Sequence, residues 1–158
     1  MATYNRTVTG GGTVGHPSNA AVPYVVTSPV WDTADGGTGG DIVQLIDVPA
    51  DTMIVAGCLE VLEARGNGQI TMDIGFTGGD VDCFVDGSAC AAGFTPFLEA
   101  AVGATGSNAR MLTSADTIDA LILDAGSSGE SALRFRIHVV MVDVSVNPVE
   151  SATVSTGT

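Results

Sequence analysis

The chain has 158 residues and a formal charge of −13, from 18 acidic side chains against five arginines, with no lysine at all. A surface of that sign repels phosphate backbones and anionic lipid, which speaks against nucleic acid and membranes as partners. The missing lysine removes Walker A nucleotide chemistry. A strong negative field also suits a protein that stays soluble at high local concentration, or in brine where the Debye length falls to roughly 3 Å; solubility alone is the simpler reading. The length suits one domain, able to bury roughly 70% of its unfolded surface without metals or disulfides. No apolar run has the length of a signal peptide or of the roughly 20-residue bilayer span, so a soluble protein is expected.

Residues 1–20 mix Gly10, Gly11, Gly12, Gly15 and Pro17 with short polar side chains. That composition costs backbone entropy and offers little to bury, so an arm is expected, frayed or laid on a neighbour. The main domain is expected over 21–146. Its first strand candidate, Ala20 to Trp31, is confined to an edge or to interrupted pairing by Pro23 and Pro29. After the loop Asp32 to Asp41, strands are expected at Ile42–Val48, Met53–Leu62 and Gln69–Phe76, with connections short enough for a meander of antiparallel neighbours. In the last of these Ile70, Met72, Ile74 and Phe76 fall on one face and Gln69, Thr71, Asp73 and Gly75 on the other, the period of two of a half-buried strand.

From Asp80 to Asn108 a short run, Cys83 to Gly87, and a stretch around Pro96 read as strand plus loop. The last strands are Thr117–Asp124 and Ala132–Val146, the longer of which should sit centrally. Residues 147–158 form a Pro/Ser/Thr tail with nothing to nucleate a core. About eight strands, with no sustained 3.6-residue period and no internal repeat, predict an all-β, single antiparallel β-sandwich of the jelly-roll type; an immunoglobulin-like sandwich is the alternative.

Little in the chain carries recognisable chemistry. Asp80, Asp82 and Asp86 offer the oxygen ligands that suit Ca²⁺, but Phe84 and Ala91 occupy two ligand positions of an EF-hand loop, and a solvated acidic turn explains the residues as well. No other cofactor is expected. Gly10 to Gly15 matches a dinucleotide-binding string, yet has neither a strand before it nor a helix after it. Cys58, Cys83 and Cys90 are too few for a disulfide framework or a four-cysteine zinc site, so thiols are expected, with Cys83 and Cys90 placed to pair across a loop in an oxidising medium. His16 lies in the arm, and His138 has no nucleophile motif beside it: Ser127 and Ser128 fit a hairpin turn. An enzyme is not expected.

Arg134, Arg136 and His138 alternate along the last strand and should project from one face, opposite Leu133, Phe135 and Ile137. This basic stripe either pairs with carboxylates such as Asp73 or Asp119, or docks on an acidic partner. Beyond it, Val139 to Val142 are apolar on both faces, through coverage by the chain's own sandwich or by packing of sheet against sheet in an oligomer.

The segment from Asp41 to Gly87, with Val48-Pro49-Ala50-Asp51, Gly57, Asp73-Ile74-Gly75 and Phe84-Val85-Asp86-Gly87, together with the two late strands, resembles small virion proteins of tailed bacteriophages, particularly head decoration or cement proteins. That resemblance implies a non-catalytic protein on the capsid surface whose partner is the major capsid protein and which self-associates, as a homotrimer in such proteins. It implies a virion location, with host cytoplasm during assembly. A tail, neck or head-fibre component binding a host receptor or glycan is the alternative; the latter needs exposed aromatics, and Tyr4, Tyr24 and Trp31 all lie early in the chain.

Overall fold

The structure, a computed structural model, describes residues 3–9, 23–33, 39–64, 70–97, 110–124 and 133–145. The described residues form eleven strands and no α-helix: β1 (Thr3–Thr9), β2 (Pro23–Thr27), β3 (Trp31–Asp32), β4 (Ile42–Val48), β5 (Thr52–Glu63), β6 (Thr71–Gly75), β7 (Val85–Ala89), β8 (Gly93–Phe97), β9 (Arg110–Leu112), β10 (Asp116–Asp124) and β11 (Arg134–Asp143). They make two sheets, one ordered β1-β4-β10-β6-β7 and the other β2-β11-β5-β8, with β3 beside β11 and β9 beside β5.

Leaving aside β1, β3 and β9, the remaining strands pair first with last (β2 with β11), second with seventh (β4 with β10), third with sixth (β5 with β8) and fourth with fifth (β6 with β7), all antiparallel. Pairings of β11 with β5 and of β10 with β6 join these pairs into sheets. Such nested pairing is a long ribbon rolled on itself: the jelly roll expected from the strand count.

Within this frame the expected meander is corrected. β4, β5 and β6 do not lie side by side, because each connection carries the chain from one sheet to the other. The link after β4 is an arch: Asp51 adopts a left-handed φ of 55°, and its carbonyl accepts from Val144 N–H at 2.8 Å. Within the arm expected over 1–20, Thr3–Thr9 lies parallel to β4. Gly10 to Gly15, His16, Ser127, Ser128 and the tail 147–158 lie outside the described residues.

The core fills the space between the sheets. Ile70, Met72, Ile74 and Phe76 are buried as the alternation predicts, and meet Leu133, Phe135, Ile137, Val139 and Met141 from the facing sheet. Trp31 is buried and stacks on Phe135, with ring centroids 6.3 Å apart. Bulges set the faces where alternation fails. On β4, Ile46 pairs with Ile118 and Gln44 with Asp119, leaving Leu45 extra, so Leu45 and Ile46 are both buried. β5 carries two such residues opposite β11, Val55 and Leu62.

The first edge strand behaves as its prolines dictate. Pro23 opens β2, where no N–H is required, and Pro29 separates β2 from β3. Ser28 bridges the break: its N–H donates to the Ile137 carbonyl at 2.9 Å, and its Oγ accepts from Ile137 N–H at 3.0 Å.

Candidate interaction surface

Each sheet has an outer face, and the two are finished differently. On the outer side of the β6/β10 half, Asp73 and Asp119 are both buried, at 7% and 3% exposure. The loop from Thr77 to Phe84 lies against Asp119 and Gly75, and β7 against Asp73. The loop leaves β6 through a tight turn in which Phe76 N–H donates to the Asp80 carbonyl and Gly79 N–H to the Phe76 carbonyl. Phe76 and Phe84 pin its ends into the core, edge to face at 5.3 Å. Gly75 is required beneath it, because a Cβ there would sit 2.3 Å from the Asp80 carbonyl oxygen.

Both carboxylates hold backbone in place. Asp119 Oδ2 accepts from Thr77 N–H at 3.2 Å and from the Thr77 hydroxyl. Burial pushes its carboxyl above the ordinary range, against the lowering effect of these bonds. Asp73 Oδ1 accepts from Gly87 N–H at 2.7 Å, where β7 bulges and Gly87 takes a φ of 56°. Asp80, Asp82 and Asp86 lie exposed at the rim of this cover. A hydrogen bond with Asp80 is the main reason the Asp82 carboxyl sits above its ordinary range. Among the described residues no group of three or more His, Cys, Asp or Glu is arranged to hold a metal ion.

The outer side of the β2-β11-β5-β8 sheet has the stripe at its centre. Arg134, Arg136 and His138 project outward between buried Leu133, Phe135 and Ile137, as the alternation predicts. Their partners differ from those expected: Asp73 and Asp119 belong to the other sheet, and the strand register supplies Glu60 instead. Arg136 pairs with Glu60 and His138 with Cys58 across the β11/β5 ladder. Glu60 Oε2 accepts from Arg136 Nε and, at 2.9 Å, from His138 Nε2. A carboxylate only accepts, so Nε2 carries a proton, and Nδ1 lies 2.9 Å from the Thr27 hydroxyl, within hydrogen-bond distance. The bond from Arg136, then that from His138, holds the Glu60 carboxyl below its ordinary range. Arg134 Nε lies 3.7 Å from Asp32 Oδ2. The stripe's charge is thus met within the chain.

Around this polar centre the face is apolar. The β5 register places Phe94 beside Glu60 and Pro96 beside Cys58, and the β11 register places Val25 beside Val140. Phe94 is 68% exposed, Val25 67% and Met111, beside Met53, 59%. Sequence reasoning missed these residues, although the alternation of Phe94 and Pro96 with Gly93 and Thr95 was there to be found. Trp31, one of the aromatics a glycan site would need on the surface, is buried at 4%. All three cysteines are thiols, and no disulfide joins Cys83 and Cys90. Burial raises the Cys90 thiol to about 12.

No family model and no curated protein sequence matches the chain. Solved structures do. A chain of the cyanophage Pam1 capsid asymmetric unit superposes with a TM-score of 0.61 at 13% identity, over 83% of this chain and 93% of that one. A chain of the Ralstonia phage GP4 capsid gives 0.56 at 18% identity, over 81% and 89%. A chain of the acidic stable capsid of Helicobacter pylori bacteriophage KHP30 gives 0.55 at 15% identity, over 77% and 88%. The protein therefore has a fold that occurs in phage capsids, shared over most of both chains.

Proposed function

We propose that this protein is a structural component of a tailed-phage virion which attaches in many copies to the outer surface of the assembled head and stabilises it, in the manner of decoration or cement proteins. The observation that carries the reading is the near end-to-end match, covering 88–93% of the matched chains, with chains of nearly this size in three phage capsids. The sequence resemblance, which rests on different grounds, supports the same reading. The partner is the major capsid protein, the site of action is the virion, reached from the host cytoplasm during assembly, and the protein acts as a self-associated unit, a homotrimer by analogy with such proteins.

The role needs no catalysis. A protein that binds the assembled shell but not its separated subunits stabilises assembly by mass action, by about 2.7 kcal/mol per site when its free concentration is a hundred times Kd. Packaged DNA pushes the shell outward, and each bridging copy opposes separation by that increment. A surface of charge −13 also keeps the outside of the particle from adhering to nucleic acid.

Heads prepared without the protein test the reading. Purified protein should bind them saturably and raise the temperature at which they release DNA. Failure to bind intact heads at any concentration contradicts it.

A further inference from the structure

The geometry points to the outer face of the β2-β11-β5-β8 sheet as the surface through which one copy of this chain packs against another. Three of the five exposed large hydrophobic residues among those described, Phe94, Val25 and Met111, lie on this one face. On the other sheet the Thr77–Phe84 loop closes the outer side over Gly75 and Asp119.

Charge identifies the occupant. The chain carries −13, so two copies meeting through most of its surface repel each other. On this face Arg136 shares Glu60 with His138, and Arg134 lies between Asp32 and Glu63 in the register, so the two arginines offset two of the three carboxylates. A second copy meets far less like-charge repulsion here than over a surface that carries the rest of the −13. A basic partner, by contrast, is better met by the acidic remainder of the molecule.

The sheet's edges argue for contact through the face. Pro23 in β2 and Pro96 in β8 have no N–H to offer, which disfavours continuation of the sheet into a neighbour through these two edge strands. Packed face to face, Phe94 and Val25 supply the apolar anchors that interfaces favour, around a hydrogen-bonded polar centre.

The inference deepens the virion reading, which brings many copies together, but its test is independent of that reading. Sedimentation velocity on the purified full chain over a concentration series should give a species at a multiple of 15.9 kDa. The double variant Val25→Asp/Phe94→Asp should sediment at 15.9 kDa with an unchanged far-ultraviolet circular dichroism spectrum. A second measurement needs no variant. Cys58 is half-buried in the middle of this face, and its alkylation rate should fall several-fold between dilute and concentrated wild-type protein. A wild-type chain that stays monomeric at every concentration overturns the inference, as does an alkylation rate that ignores concentration. A folded double variant that keeps the oligomer also overturns it. So does a double variant that loses binding to heads while its oligomeric mass is unchanged, because the face would then belong to the shell contact.

Discussion

The two outer faces of this sandwich solve one problem in opposite ways. Where β6 meets β10, the sheet carries two carboxylates and a glycine, and the chain folds its own loop over them. Across the molecule, β2, β11, β5 and β8 carry Val25, Val140, Ala56 and Phe94 around a compact ion cluster, and among the described residues no loop covers them. A buried carboxylate demands local hydrogen bonds, which a loop of the same chain supplies at fixed geometry. An apolar surface demands only coverage, which a neighbouring molecule provides. The first face is therefore closed by the fold itself, and the second is left open among the described residues.

Substitutions on the two faces should separate accordingly. The largest effect is expected at Gly75. Gly75→Ala drives a methyl into the backbone of Asp80 and Val81, and should cost about 3 kcal/mol, typical of an overpacked site with no flexible neighbour. In a chain of this size that lowers Tm by about 9 °C, measurable by calorimetry. Asp119→Ala is expected next, at about 2 kcal/mol by urea titration, because the Thr77 N–H and hydroxyl lose their acceptor.

The same two faces should answer pH with opposite signs. Asp119 has a folded-state carboxyl raised by burial, so the folded chain holds this proton more tightly than the unfolded chain does. Its contribution is most favourable in acid and is lost as pH rises from the ordinary carboxylate range through the raised value. Asp119→Asn should flatten that slope. Glu60 is depressed by Arg136 and His138, so its contribution is complete above the ordinary range and is lost as pH falls through the lowered value. Glu60→Gln should flatten the acid limb instead. Urea unfolding of the two variants from pH 3 to pH 8 checks both signs, and equal slopes would erase the distinction drawn here. The smallest stability effect is expected on the open face: Phe94→Ser should change stability by no more than about 0.5 kcal/mol, since its side chain is largely solvated in the single chain.

Much of this architecture was legible in the sequence. β4, β10 and β11 follow the expected strands closely, and the core side of β6 follows from strict alternation in Ile70 to Phe76. Which strands lie side by side was not legible. A connection as short as Pro49 to Asp51 serves a hairpin within one sheet and an arch between two equally well, and alternation fixes a residue's face without fixing its neighbour. β1 escaped notice because its mostly polar sequence, TYNRTVT, carries no apolar stripe; its backbone pairs with β4. The stripe on β11 was visible, but its partner was not: Glu60 reaches Arg136 only through a register between strands 76 residues apart.

The central claim is that the protein covers the head in many copies, and its abundance in the particle tests this most directly. Quantitative mass spectrometry of purified virions against the major capsid protein should give a copy number equal to that of the capsid protein or a simple fraction of it. A few copies per particle would contradict the account and move the protein to the neck, tail or fibre.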